Sequence, residues 1–502
     1  MPLAWPLACH GANDWGYVSE PEIHAEGRSV LARRGKILGG SSSVNGLLYS
    51  RGYAQDYDRW ASLGLPGWDF NELLPYFRKM EASWRGAGHY HGASGPLSVE
   101  RGTAPRPLHD AILATAENLG FPRVDDFHGH HDEGYGVPDF TIARGRRASA
   151  ASCYLRPAIA RTNLAVLTRA LTHRVLVNSG KATGVQFEHR GRVHTVHADR
   201  EVLLCAGAFN SPQLLMLSGI GPADDLRAHG IEVIHHLPGV GRNLQDHHAF
   251  NLTYSLDGRA ALEGALRLDR VLMSLARWKL FGDGLAATVP VSAQGLYRSS
   301  STVDWPNAQT VITPLGLASR VWFPVLRKGL GPVLVATNVL LRPKSSGDVR
   351  LLSADPGRAP RIRFNLLRAQ ADVAAFRDMF RFAVSFFSAH PIADLVRERL
   401  DPPAELHGDA ITAFLRSRVH AAMHPAGTCA MGQGEWAVLD ATCRVRGISS
   451  LRIVDASAMP HVVSGNPHAP VIAMAEKAAD MIKGLSAPLE AQHRTMHTDH
   501  GR

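Results

Sequence analysis

The chain has 502 residues and a mass of 54.4 kDa, with 45% hydrophobic and 20% charged residues. This is globular composition, which excludes disorder, collagen or a coiled coil as the whole fold, and the length is ample for interleaved units around a sizeable core. The 54 Lys and Arg against 45 Asp and Glu leave a formal charge of +9, a mild bias that predicts no nucleic-acid partner.

The densest basic cluster, Arg144, Arg146 and Arg147, reads as a solvated or Asp-paired loop. Five cysteines stand at 9, 153, 205, 429 and 443, and none forms a C-x-x-C. An odd count without that spacing favours reduced thiols in a cytoplasmic enzyme over a disulfide or zinc framework. No run of about 18 apolar residues marks a spanning helix. Two prolines break the apolar start Met1-Pro2-Leu3-Ala4-Trp5-Pro6, which has no basic leader.

Along the chain, the first chemical signal is Gly35-Lys36-Ile37-Leu38-Gly39-Gly40-Ser41-Ser42-Ser43-Val44-Asn45-Gly46. Its glycines let backbone approach a flat or anionic ligand, and its hydroxyls and amide supply hydrogen-bonding groups beside it. The same string also reads as a Gly/Ser-rich surface loop. His128-Gly129-His130-His131-Asp132 lacks a clear fourth ligand and is expected to be a polar loop, not a metal site. Val202 to Cys205 reads as a strand buried on both faces, Ala206-Gly207-Ala208 as a tight turn, and Ser211-Pro212 as the N-cap and first position of a helix.

Residues 231–419 are less regular, with several Pro-containing turns and a helix predicted over 369–388. Gly282-Asp283-Gly284-Leu285-Ala286-Ala287 fits a loose dinucleotide pattern, but it follows no clear strand and is a chance match. Leu451 to Val454 reads as a strand ending at Asp455. Pro470 is placed to open a helix through Lys483, and Gly484 to close it. The polar end, with His493, His497 and His500, reads as a frayed tail.

Five of these strings together resemble the glucose–methanol–choline (GMC) flavoprotein oxidoreductases. They are the glycine loop through Asp58, Gly207 to Gly221, Leu237 to His247, His424 to Cys429, and Leu451 to Ser457 running on to Pro467. Their order spans residues 13–484. The resemblance implies an α/β fold, with an FAD-binding doubly wound domain interleaved with an α+β substrate domain built on an antiparallel sheet. Residues 1–230 would form the flavin part, with 60–145 on the substrate side. Residues 231–419 would form the substrate domain, 420–485 the return to the flavin part, and 486–502 the tail. Family members begin with a strand–GxGxxG–helix unit under the diphosphate. No full GxGxxG occurs here, so a unit of about 30 residues or more is expected to lie outside this sequence, as from an incomplete gene model.

Oxidising an alcohol requires taking the hydroxyl proton and passing a hydride to the flavin. The resemblance places His424 as the base and Asn466 as the partner that holds the substrate oxygen. His420 and His468 sit off the family positions and are expected to be supporting residues. The helix near Pro470 would direct its positive N-terminus at the flavin. Matching cofactor positions are Gly39, Gly40, Ser41, Asn45, Gly46, Leu47, Leu48, Val175, Ala206, Asp455, Ala456 and Pro467. Val44 stands where some members carry the His that attaches FAD, so the cofactor is expected to be non-covalent.

The implied activity is oxidation of a primary alcohol to an aldehyde, choline dehydrogenase-like, with a quinone or other electron acceptor. A flavin-deficient chain and a lyase of the same fold are the rival readings. Choline recognition needs an aromatic cage with an acidic group near the cation. Trp278, Trp305 and Trp322 lie in the substrate region, and their expected role is core packing.

Overall fold

The computed structural model describes residues 1–129, 133–316, 318–324, 328–403 and 405–485. His130, His131, Asp132 and the tail at 486–502 lie outside the described residues. In chain order the main elements are Ala54–Ser62 (α1), Phe70–Met80 (α2), Gly134–Gly136 (β1), Ala170–Asn178 (β2), Lys181–His189 (β3), Arg192–His197 (β4), Val202–Leu204 (β5) and Gly207–Leu217 (α3). Then come His248–Leu256 (β6), Leu268–Phe281 (α4), Ala293–Tyr297 (β7), Ala308–Thr313 (β8), Val333–Leu340 (β9), Gln370–Ser388 (α5), Val396–Asp401 (β10), His420–Ala421 (β11), Leu451–Ile453 (β12) and His468–Lys483 (α6).

The expected antiparallel sheet is present. Its strands run β10-β6-β9-β8-β7-β1, with β11 also paired to β6, and every pairing is antiparallel. The helix predicted over 369–388 is α5. It buries Val373, Phe376, Met379, Phe380, Ala383, Phe386 and Phe387, a three-and-four spacing that makes one apolar face. That face meets β6 through Phe376 on Phe250 at 5.2 Å and Phe387 on Tyr254 at 4.7 Å between ring centroids. The sheet is therefore roofed by a helix, and its strand β6, next to the edge, leads directly out of the His247 segment.

The elements expected on the flavin side are shorter. β5 pairs in parallel with β12, Val202 opposite Leu451 and Leu204 opposite Ile453. The two strands carry the Ala206 turn and Asp455 out at the same end. Leu203 corrects one expectation: it is 46% exposed, not buried. Among the described residues no layer covers the face of β5 that bears Leu203, and it opens on a cleft of about 380 Å³ lined also by Arg200, Glu201, Ser450 and Ile482.

A second correction concerns α3. The helix begins at Gly207, so Ser211 and Pro212 lie inside it and not at its cap. Gly207 makes the turn at φ +83°, a conformation that favours glycine. Pro212 has no N–H for the Ala208 carbonyl, four residues back. Thr428 Oγ donates to that carbonyl instead, at 2.6 Å, so the helix tolerates its proline. α6 begins at His468, with Pro470 in its first turn where a missing N–H is harmless. Gly484 ends it at φ +70°. The Gly282 string follows helix α4, and Gly282 is that helix's left-handed cap, so the strand–glycine–helix order is lacking there.

Candidate active site

The glycine loop turns tightly and then opens. A Cβ on Gly35 would lie 2.4 Å from the Gly40 carbonyl oxygen, and one on Gly39 2.5 Å from Ser43 Oγ. These two glycines are required by packing. Gly40 and Gly46 are different: a Cβ there meets nothing within 4 Å, so their backbone borders open space. Ser41 Oγ accepts from Gly35 N–H at 3.2 Å. Asn45 Oδ1 accepts from Leu47 N–H at 3.1 Å and from Arg147 Nη1 at 2.6 Å. Leu47 is fully buried and Leu48 pairs with Phe140.

Arg147 is thus no solvated loop residue. It folds inward, donates also to Ser42 O at 3.2 Å, and fixes the side of the loop that carries Asn45. Composition gave no sign of this, because the carbonyl and amide partners lie about a hundred residues away in sequence.

Asp455 joins the segments around Gly207 and Ser457. Its Oδ2 accepts from Gly207 N–H at 2.9 Å and from Ser211 Oγ at 2.5 Å. Its Oδ1 accepts from Ser457 N–H at 2.7 Å. The carboxylate is committed within the protein, which leaves its backbone as the part that can meet a cofactor. Ala456 O accepts from Gly427 N–H at 3.1 Å, so this hub also fixes the His424 segment. Ala206 precedes Gly207 at the exposed end of β5. Val175 is buried in β2, its N–H donated to Ser218 Oγ at 2.8 Å. Pro467 is the N-cap residue of α6.

The structure brings His424 and Asn466 together from 42 residues apart, with His424 Nε2 3.0 Å from Asn466 Nδ2. A third residue, His247, completes the arrangement. Its Nε2 lies 3.0 Å from Val463 O, which can only accept, so that nitrogen carries the proton. Burial pulls the His247 pKa down to about 3, so the ring is neutral and its lone pair is on Nδ1. That lone pair faces His424 Nδ1 at 2.9 Å, so His424 donates there. Burial, then the neighbouring His247 and Arg34, hold His424 far below its ordinary pKa. It too is neutral, with its lone pair on Nε2, where Asn466 donates.

The chain of hydrogen bonds therefore selects one tautomer of His424. His247 stands inside the Leu237 to His247 string, but nothing in the sequence singles out that histidine as the partner of His424. His420, by contrast, sits in β11 with Nε2 3.4 Å from Asn251 Nδ2, apart from the pair.

His468 opens α6 with both ring nitrogens inaccessible and unpartnered. Burial, then Arg147, pushes its pKa down to about 4. Asn466 Oδ1, Asp246 Oδ2 and Ser457 Oγ are likewise buried without a protein partner.

Comparison with known proteins places the chain in a family. Residues 12–249 match the N-terminal GMC oxidoreductase profile and 343–475 the C-terminal one. The chain belongs to the GMC oxidoreductase family. It is 41% identical over 488 residues to the mitochondrial choline dehydrogenase of Homo sapiens, covering 95% of this chain and 80% of that one. It is 40% identical over 485 residues to an oxygen-dependent choline dehydrogenase of Sinorhizobium fredii, covering 96% and 87%. Among solved structures, pyridoxine 4-oxidase from Mesorbium loti superposes with a TM-score of 0.85 at 28% identity, covering 97% of this chain and 91% of that one. A variant of Aspergillus oryzae formate oxidase gives 0.89 at 26% identity, covering 96% and 90%.

The cofactor of this family is FAD, and the residues present fit it. Gly40, Gly46 and Gly207 all border open space, where a flat ring or a phosphate can approach backbone. The unpartnered nitrogens of His468 and the free oxygens of Asn466 and Ser457 are the polar groups such a ligand would satisfy. Val44 is buried and has no nucleophilic atom, so that position offers no covalent link. Among the described residues no helix is long and apolar enough to cross a membrane.

Proposed function

We propose that this chain oxidises a primary alcohol to its aldehyde with FAD, using His424 as base and Asn466 as the group that holds the substrate oxygen. The observation that carries the proposal is the 3.0 Å approach of His424 Nε2 to Asn466 Nδ2, with the His424 lone pair fixed on that same Nε2. A hydroxyl that replaces this mutual hydrogen bond, as the two side chains part, donates its proton to His424 Nε2 and accepts from the Asn466 amide. As His424 takes up the proton, its Nδ1–H remains bonded to His247 Nδ1, so the new imidazolium is oriented and solvated by His247. The Asn466 amide donates to the oxygen before and after that transfer, which favours the developing alkoxide. Bound FAD supplies the hydride acceptor.

Gly39, Gly40, Ser41, Asn45, Gly46, Leu47 and Leu48 would seat it on the loop side. Ala206, Asp455, Ala456 and Pro467 would seat it at the strand ends, and Val175 at the adenine. Arg34 beside His424 and Arg147 beside His468 give the site a positive potential that suits an acceptor of negative charge.

The test is anaerobic reduction of the FAD-loaded chain by alcohols. His424→Ala should slow it by about 10²- to 10⁴-fold, and Asn466→Ala should also slow it, with the spectrum of oxidised flavin unchanged in both. A flavin that no alcohol bleaches would instead fit a lyase and would reject the proposal.

A further inference from the structure

His424 stands in a bulge between two antiparallel rungs. On one side of it, His248 faces Ala421 across β6 and β11, and Ala422 N–H donates to His247 O at 2.8 Å. On the other side, Gln245 and Ala426 exchange hydrogen bonds of 3.0 and 2.9 Å. Between these rungs Asp246 alone stands opposite three residues, Met423, His424 and Pro425. Unequal counts of this kind bend the longer strand and re-aim its side chains.

The residues of the bulge fix part of that bend. Pro425 confines His424 to extended backbone angles and brings no N–H of its own. Met423 takes φ +66°, in the left-handed region that a residue with a Cβ adopts under constraint. What remains to be set is the tilt of the peptide unit that joins Met423 to His424, and both of its polar groups are held. Arg34 Nη2 donates to Met423 O at 2.5 Å. His424 N–H donates to Asp246 Oδ1 at 2.9 Å. A guanidinium on the carbonyl and a carboxylate on the N–H make charge-assisted hydrogen bonds, which are the strong ones. One peptide unit is thus gripped at both poles, and it is the unit that carries His424.

The two grips come from different parts of the chain. Arg34 immediately precedes the Gly35 loop and is itself anchored, its N–H donated to Asp14 Oδ1 at 2.9 Å and its O accepting from Trp15 N–H at 3.0 Å. Asp246 is 3% exposed and immediately precedes His247, whose Nδ1 lies 2.9 Å from His424 Nδ1. A buried carboxylate with one oxygen unpartnered is a costly way to fill space. His247 selects the tautomer of the His424 ring; Arg34 and Asp246 hold the backbone from which that ring projects.

We infer that Asp246 and Arg34 are positioning residues of the alcohol oxidation, fixing the Met423–His424 peptide and so aiming His424 Nε2 at the substrate hydroxyl. The inference rests on the reading of His424 as the base.

The test is anaerobic reduction of the FAD-loaded full chain by choline and by 1-hexanol, followed with the faster of the two. Asp246→Ala and Arg34→Met should each lower the limiting rate by about tenfold to 100-fold, with the half-saturating alcohol concentration changed by less than about threefold. Asp246→Asn keeps an oxygen that accepts from His424 N–H and should lose less than Asp246→Ala. In a His424→Ala background, Asp246→Ala should cost no more than about a further twofold, because no base is left to aim. A residue that served stability alone would lower the rate alike in both backgrounds. Limiting rates unchanged in Asp246→Ala and Arg34→Met, or the full loss repeated in the His424→Ala background, overturn the inference while leaving the base in place. If Asp246→Ala does not fold, Arg34→Met decides by the same rate and the same comparison in His424→Ala. If neither alcohol reduces the native flavin, or His424→Ala is as fast as the native chain, the reading of the base has failed and the inference falls with it.

Discussion

Replacing His247 by Leu tests the tautomer argument most sharply. The substitution removes the acceptor of His424 Nδ1–H, 2.9 Å away, and the donor to Val463 O at 3.0 Å. A buried polar group left without its partner costs about 1–3 kcal/mol. If His424 keeps its tautomer, that cost falls on the imidazolium formed in the reaction. If it switches, Nε2–H replaces the lone pair that takes the proton. Either way the barrier rises by about the same 1–3 kcal/mol, a fall of roughly 5- to 150-fold in rate. The assay is stopped-flow reduction of the FAD-loaded protein by saturating alcohol without oxygen. The fall should be in the limiting rate, with little change in the substrate concentration that half-saturates it. His247→Gln, which keeps an amide donor and acceptor, should recover part of the loss. A limiting rate unchanged in His247→Leu, or an equal fall in both variants with weakened substrate binding, would refute the reasoning.

Three further outcomes follow from the same geometry. Thr428→Val keeps the shape of a fully buried residue but leaves the Ala208 carbonyl unpaired opposite Pro212, so thermal unfolding should show a loss of about 1–3 kcal/mol; a neutral result would show that another donor serves that carbonyl. Burial depresses His247 to about 3 and His461 and His468 to about 4, with His424 also far down. The unfolded chain takes up these protons near pH 6.5 and the folded chain does not, so stability is full above that value and falls as pH drops toward 4. Asp246, raised to about 7, acts in the opposite sense and offsets one histidine. Denaturant unfolding should show a net loss of at least about 2 kcal/mol between pH 6.5 and about pH 5, and a flat profile would contradict the buried neutral imidazoles. Adding FAD at about 100 times its dissociation constant should raise stability by about 2.7 kcal/mol, visible as a higher Tm; no shift at any FAD concentration would argue against the fit of the glycine cradle.

What the sequence made legible is what backbone chemistry constrains locally. The Gly35–Gly46 loop, the Gly484 stop and the α5 periodicity are short-range patterns, and the structure carries each of them where the residues placed it. The pairing of His424 with Asn466 was legible only through resemblance, since 42 residues separate them. The partners that span the fold were not legible at all. His247 lies 177 residues from His424, and Thr428 lies 220 residues from the carbonyl it satisfies. Ser211 misled for a related reason. Ser followed by Pro is a good local helix start, but the Asp455 carboxylate and the Thr428 hydroxyl reward a longer helix. Leu203 misled because an apolar run does not say which of its faces another layer covers.

The most direct test of the account is the visible absorption of the purified 502-residue protein with excess FAD, recorded without oxygen before and after an alcohol is added. The account predicts protein-bound oxidised-flavin bands that bleach with a primary alcohol in the native chain and persist in His424→Ala. Failure to retain any flavin, or bleaching that is as fast in His424→Ala as in the native chain, would contradict it.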